Sequence, residues 1–269
     1  MTLLVRDEED IIRENIEFHK MQGVDFFIVT DNNSVDSTPL ILKEYEKKGI
    51  LKYHHEGSDT FNQPKWVTSM AREAYIDFGA DWVINNDADE FWFPKNEETL
   101  KVFFETIESK YNIVFGDRYN FIPISNLQNK PFYKTMVHRE KESKNPEGKP
   151  LPPKAAHRGC ADINVAEGNH DVSGFLNKSG ISDRIEIFHY PIRYKNQYEK
   201  KMIHLGSGYD KRDFDNIRRT LYKDYLDNKD SLKEKYDQEM YTVWKLFASL
   251  VSGTIKRDVR LRNALVKIV

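Results

Sequence analysis

Two carboxylates separated by one residue, Asp87 and Asp89 in Asp87-Ala88-Asp89, directly follow an apolar run, Trp82-Val83-Ile84. Held in one turn, such a pair can share a hard divalent cation or its water shell. Oxygen ligands suit Mg²⁺ or Mn²⁺, ions that usually complete their coordination with substrate phosphates. Three other β-rich runs also end in polar clusters: Arg6-Asp7-Glu8, Asp31-Asn32-Asn33-Ser34 and His54-His55-Glu56. One such exit is ordinary loop chemistry; four acid-bearing exits on one sheet edge point to a site, because ligands of open α/β sheets bind outside the carboxyl ends of the strands.

The elements that would carry these ends alternate. Residues 2–6, 24–30, 50–54 and 81–86 read as strands. Between them lie helical patterns at 10–22, 38–48 and 64–78, stopped by Gly23, Gly49 and Gly79, with Pro39 and Pro64 in first turns. This β-α-β-α-β-α-β order predicts an α/β fold with a mostly parallel central sheet flanked by helices, Rossmann-like in its first half. A helix at 97–111 follows, then strands at 113–116, 119–122, 154–165 and 185–190. Residues 141–153 hold four prolines and no apolar period, and read as a mobile loop of the kind that covers a site. Helices are expected at 213–226, 232–251 and 255–268. The division is residues 1–205 for the catalytic domain and 206–269 for a C-terminal helical extension.

Composition narrows the function classes. The 269 residues include 34 aromatics, enough for a large core, and 41 basic against 43 acidic residues give a net charge of −2. No polyanion is attracted in bulk, so nucleic acid is not an expected partner. Apolar runs are far shorter than the roughly 20 residues of a membrane span, and the first residues do not read as a secretory signal. Cys160 is the single cysteine, which excludes an intrachain disulfide and a cysteine zinc site. A cytoplasmic protein is expected.

The stretch Asp81-Trp82-Val83-Ile84-Asn85-Asn86-Asp87-Ala88-Asp89-Glu90-Phe91-Trp92 resembles the signature of GT-A glycosyltransferases, most closely the family-two-like branch that includes family 92. The resemblance extends to Arg6-Asp7-Glu8-Glu9, Phe18-His19, Asp31 to Thr38, Gly168-Asn169-His170, and His189-Tyr190-Pro191 with Arg193, Gln197 and Lys200. It implies a metal-dependent transfer of a sugar from a nucleoside-diphosphate sugar, UDP favoured, to a hydroxyl of a glycan or lipid-linked acceptor, with inversion. It assigns Arg6, Glu8, Asp31, Asp36, Arg72, Asp87 and Ala88 to the donor. Asp87, Asp89 and His189 are assigned to Mn²⁺ or Mg²⁺, and the general base to His170 or Asp171, with Glu90 in reserve. Asp7 stands where similar chains more often have Asn, which puts the hydrogen bonding of that loop in question. Lys154 and Arg158 read as surface charges that could meet a phosphate, and Phe91 to Phe93 as core or as the floor of an acceptor site.

Other readings remain open. A nucleotidyltransferase would carry a Gly-rich first loop, which Arg6 to Glu9 is not. A silent sugar-nucleotide or glycan-binding module would be expected to have lost its Asp-x-Asp, and a glycoside hydrolase would need no metal. In 255–268, Lys256, Arg257, Arg260, Arg262 and Lys267 flank an apolar stripe of Leu261, Ala264, Leu265 and Ile268. That pattern suits a peripheral contact with the inner face of an anionic membrane, the alternative being packing on the catalytic domain or a second subunit.

Overall fold

Four β-branched and aromatic runs become adjacent parallel strands, because the amphipathic segments between them each bury one stripe on the sheet. The computed structural model describes all residues except 59–61, 97, 98, 126–129, 146, 147, 210–215 and 269; at 205, 207–209 and 216–219 it describes the backbone alone. Strands β1 (Thr2–Val5), β2 (Phe27–Asp31), β3 (Leu51–His55) and β4 (Trp82–Asp87) alternate with α1 (Ile12–Met21), α2 (Thr38–Lys47) and α3 (Gln63–Ile76). Helix α2 buries Thr38, Leu42 and Tyr45, and α3 buries Val67, Met70, Ala71 and Ala74, each at helical spacing. Strand β2 is buried along its whole length, as a strand covered on both faces must be.

Next come β5 (Glu90–Pro94), α4 (Leu100–Glu105), β6 (Ile113–Asn120), α5 (Phe132–Thr135), β7 (His138–Glu140) and β8 (Lys154–Arg158). A small hairpin, β9 (Asn164–Val165) and β10 (Val172–Ser173), precedes the long β11 (Gly180–His189). Helices α6 (Lys195–Tyr209), α7 (Asn216–Asp227), α8 (Ser231–Glu239) and α9 (Val243–Val251) follow, then β12 (Ile255–Arg257) and α10 (Arg260–Leu265). The eight-stranded sheet runs β3-β2-β1-β4-β8-β6-β11-β5. Only β8 and β5 pair antiparallel to their neighbours, so the sheet is mostly parallel.

Several expectations change. Phe91, Trp92 and Phe93 form edge strand β5, packed in the core against β11, and floor no site. Residues 113–120 make one strand through Gly116, whose bare Cα accommodates Ile187; a Cβ there would come 2.7 Å from Ile187 Cδ1. The long helix expected at 232–251 breaks at Tyr241, which bridges to Ile124 and takes backbone bonds with Pro123 and Ser125. The expected helix at 97–111 spans Leu100–Glu105; positions 97 and 98, like 213–215 of the next expected helix, lie outside the described residues. Within 141–153, Lys144 bridges Pro150 and Leu151 N–H donates to Ser143 O, so the flanks form a hydrogen-bonded hairpin; positions 146 and 147 lie outside the described residues.

Residues 255–268 are the clearest difference, since they form a strand and a short helix. Strand β12 pairs antiparallel with β7, and the apolar stripe turns inward: Leu261 and Leu265 join the main core. Arg139, buried in β7, donates to Glu186 and Asp258, and Arg260 donates to the same two acids, tying this segment to β11. The stripe that suggested a membrane contact is therefore occupied by the protein itself. Leu261→Ala or Leu265→Ala should each cost about 2–5 kcal/mol in urea unfolding, as buried leucines do. Val266→Ser, at an exposed position, should stay within about 0.5 kcal/mol. Equal effects at all three positions would place the stripe outside the core.

Candidate active site

A cleft of about 670 Å³ opens over the carboxyl ends of β1 and β4. The Asp87-Ala88-Asp89 turn lies in its wall, held from behind by a buried polar network. Asn15 of α1 donates through Nδ2 to Ala88 O at 2.8 Å and Glu90 O at 2.9 Å. Asn86 donates to Asn15 Oδ1 and Glu90 O, and accepts from Trp92 Nε1 at 2.9 Å. His19 closes the set: Trp92 N–H donates to its Nε2, so its Nδ1 carries the proton and faces Asn15 O. Burial lowers His19 to about 3, so it stays a neutral connector.

The front of the turn is charged. Asp89 accepts from Lys201 Nζ at 2.6 Å, and His189 Nε2 lies 3.7 Å from the same oxygen. Burial disfavours the Asp89 charge, but Lys201, His189 and Arg193 outweigh it and hold the carboxyl well below its usual range. Arg193 is fully buried and donates to Asp10 at 2.6 and 2.9 Å, to Glu8 at 2.5 Å and to Tyr190 O at 2.9 Å. Burial pushes Glu8 up to about 7 against the pull of Arg193 and Lys201. On the other side Asp87 pairs with Lys154 and accepts from Asn169 Nδ2 at 3.1 Å. Lys154 is buried and also faces Glu90 at 3.3 Å, so it is no surface charge.

The chemistry of the donor set bears on a divalent cation. Asn120 Nδ2 donates to Glu140, so its Oδ1 accepts from His189 Nδ1 at 2.8 Å. That tautomer leaves the Nε2 lone pair beside the Asp89 carboxylate, and the bond from Nδ1 to Asn120 fixes the ring as a metal-binding histidine is commonly fixed. Asp89 and His189 thus fit a cation that takes its remaining ligands from diphosphate and water. Asp87 does not join them. Among the described residues no three His, Cys, Asp or Glu side chains are grouped to hold one ion, and Asp87 is paired with Lys154 and Asn169 instead.

The remaining expected residues divide. Arg6, Glu8, Asp87, Ala88, Asp89, His170 and His189 all line the cleft. Asp31 does not: its buried carboxylate accepts from Ser34 N–H at 3.1 Å and Oγ at 2.5 Å, and from Tyr53 OH at 2.9 Å. Asp36 accepts from Thr38 N–H and Glu9 N–H, tying the start of α2 to the first loop. Asp7 takes up the left-handed conformation and accepts from Val35 N–H at 2.8 Å, so the loop bonding in question at that position is intact. Arg72 turns to another surface, donating to Ile163 O and Asn164 Oδ1, and Arg158 binds the carbonyls of Ile107 and Tyr111. Asp171 leaves the cleft for Lys178, at 2.5 Å.

His170 stays. Its Nδ1 faces Pro153 O at 2.8 Å, which makes Nδ1 the donor and leaves Nε2 deprotonated. Burial, then Lys154, lower it to about 4. The ring lies over Gly168 (φ 70°), where a Cβ would come 2.5 Å from Nε2. Glu90 lies beneath the cleft, pushed up by burial, with Oε2 lacking a hydrogen bond among the described residues. Sequence reading missed Lys201 and Arg118; only their basic character and, for Lys201, its place after the His189-to-Lys200 motif could have signalled them.

The description "Glycosyltransferase family 92" matches residues 1–240. No curated protein matches in sequence. Among solved structures, the S. aureus TarS 1–349 structure is similar at 16% identity, covering 86% of this chain and 71% of that one, with a TM-score of 0.43. Its complex with UDP-GlcNAc is similar at 14% identity, with 89% and 82% covered and a TM-score of 0.43. Glucosyl-3-phosphoglycerate synthase from Mycobacterium tuberculosis, in complex with Mn²⁺, UDP and glucosyl-3-phosphoglycerate, is similar at 16% identity over 58% and 55%, with a TM-score of 0.30.

The two basic residues on Asp89 should separate in stability. Arg193→Met leaves Glu8 and Asp10 as half-buried carboxylates without their shared cation and should cost about 3–5 kcal/mol in urea unfolding. Lys201→Met, at a partly exposed position on the cleft edge, should cost about 1 kcal/mol. Similar losses would mean that Arg193 is not what joins these loops.

Proposed function

Because this chain belongs to glycosyltransferase family 92 and is a glycosyltransferase with the GT-A type of α/β fold, we propose that its cleft binds a UDP-sugar and a divalent cation. The proposed reaction passes the sugar to an acceptor hydroxyl with inversion. The observation that carries this is the meeting of Asp89 and His189, in a metal-ready tautomer, with Arg6 and Glu8 at the ends of the parallel strands. Leu4 and Val5 beside Asn32 offer an apolar wall and an amide for a planar base, and Arg6 a cation for phosphate. Bound at Asp89 and His189, Mn²⁺ or Mg²⁺ would neutralise charge developing on the leaving diphosphate. Lys201 holds Asp89 ionised and lines the same cleft, where it adds a second cation for the diphosphate.

We assign the general base to His170. Neutral, fixed by Pro153 O and lining the cleft, it offers the Nε2 lone pair to an acceptor hydroxyl. Asp171 is paired outside the cleft, and Glu90, beneath it, is held by Lys154 and Arg118. Arg118, anchored to Pro152 O, borders the acceptor side and sets the edge of the hairpin that ends there.

In a thermal-shift titration UDP with Mn²⁺ should raise the melting temperature more than UDP with EDTA, and Asp89→Asn should abolish the difference while folding normally. An equal shift in EDTA would remove the metal from the proposal. His170→Ala should lower kcat about a hundredfold at unchanged UDP affinity. A base must be deprotonated, so the limb that His170 sets in the wild-type rate profile should lie near 4, below the ordinary imidazole value of about 6.5, and should be missing from the residual activity of His170→Ala. The same limb persisting in His170→Ala, or full activity in that variant, would assign the base elsewhere.

A further inference from the structure

We infer that α9, together with the basic residues framing it, docks this protein on an anionic lipid surface. Every residue of α9 is at least partly exposed. Val243 is 76% exposed, Trp244 82%, Phe247 60% and Val251 73%, with Leu250 at 39%. At about 100° per residue these five side chains fall within an arc of about 120°. Leu246 and Ser249, the two half-buried residues of the helix, lie outside that arc. The helix is thus seated by one narrow edge and presents its aromatic face to solvent, an arrangement that scattered surface apolar residues do not produce.

The charge around that face selects the partner. From residue 243 onward the chain carries six basic residues and one acid, in a protein whose net charge is −2. Asp258 and Arg260 neutralise each other within the network at Arg139 and Glu186. Lys245 on α9, and Lys256 and Arg257 on β12, which packs against α9, are all exposed, and none of the three forms an ion pair among the described residues. Lys141 adds a further cation, its Nζ lying beside Gly253 at the end of the helix. A folded apolar partner would meet these unpaired cations at a desolvation cost. Anionic headgroups neutralise them while the acyl boundary takes Trp244 and Phe247, the division of labour of an interfacial helix. No helix among the described residues is long and apolar enough to cross a membrane, so the contact is one of surface docking.

The support beneath α9 leads to the cleft. Lys141 N–H donates to Thr254 O, β12 pairs with β7, and β7 runs into the hairpin whose last residues, Pro152 and Pro153, receive Arg118 and His170. The inference holds whatever the cleft transfers, because its test reads binding alone. The full chain should co-sediment with vesicles of phosphatidylcholine containing about 30% phosphatidylglycerol, weakly with phosphatidylcholine alone, and less as salt rises to about 0.5 M. The double variant Trp244→Ser, Phe247→Ser should lose at least about tenfold in vesicle affinity with an unchanged melting temperature. Lys256→Glu with Arg257→Glu should lose the preference for anionic lipid. Brominated lipid should quench the wild type and not the double serine variant, since Trp244 is the strongly exposed face tryptophan. No sedimentation with anionic vesicles, sedimentation equal in both serine variant and wild type, or a wild-type dimer that the serine variant dissolves without any vesicle binding would overturn the inference, the last by giving the face to a second copy of the chain.

Discussion

The Arg193 side chain has no exposed surface and cannot lose its proton, so the fold around it must bring carboxylates to it. An unpaired buried charge would cost more than the stability of an ordinary domain can absorb. Glu8 and Asp10 come from the loop after β1, and Asp89, 3.9 Å away, from the turn after β4. Arg193 itself follows β11, on the far half of the sheet. One guanidinium therefore joins three segments that are remote in sequence, and they are the segments that wall the cleft. Burial pushes Glu8 up despite Arg193 and Lys201, whereas the same two cations, with His189 also beside it, hold Asp89 low against its own burial.

Behind the cleft the same logic works without charge. The carbonyls of Ala88 and Glu90 point into the protein, where they need donors. Asn15 supplies both, Asn86 doubles the bond to Glu90, and the ring of His19 holds Asn15 in place. Helix α1 is thus more than a cover for the sheet, since its polar buried residues set the curvature of the Asp-x-Asp turn. Ile12 and Ile16 on the same helix bury in the main core, so packing and site geometry are fixed by one element.

How far the sequence could be read follows from the range of the forces involved. The first four strands and three helices were legible because their apolar periods are local and Gly or Pro marks their ends. The Asp-x-Asp turn and His189 were legible as strand ends, and the structure sets both on the wall of the cleft. Asp31, Asp36 and Arg72 were assigned to the donor, yet their partners are Ser34 and Tyr53, Glu9 and Thr38, and Ile163 with Asn164. Nothing local distinguishes a carboxylate that accepts from a turn from one that accepts from a ribose. His170 and Asp171 were likewise inseparable in sequence, since only the placement of Lys178 and of Pro153 O sends one outward and holds the other in. Residues 255–268 read as one helix because Leu261, Ala264 and Leu265 have helical spacing; the ladder with β7 that makes its first turn a strand comes from more than a hundred residues upstream.

Two sets of cations at the C-terminal end show what that ladder decides. Arg139 and Arg260 stack over the rings of Tyr119 and Phe188 and divide Glu186 and Asp258 between them, so their charge is spent within the fold. Lys256 and Arg257 lie on the neighbouring strand and remain exposed. Had 255–268 formed a single helix, its five basic residues would have surrounded its leucines and nothing would have pinned it to β11. Pairing β12 with β7 instead turns Leu261 and Leu265 into the core, consumes Arg260 there, and leaves Lys256 and Arg257 beside α9. The apolar stripe and the cations that sequence reading placed on one helix are thereby separated, and the exposed cations acquire a different apolar face, that of Trp244 and Phe247.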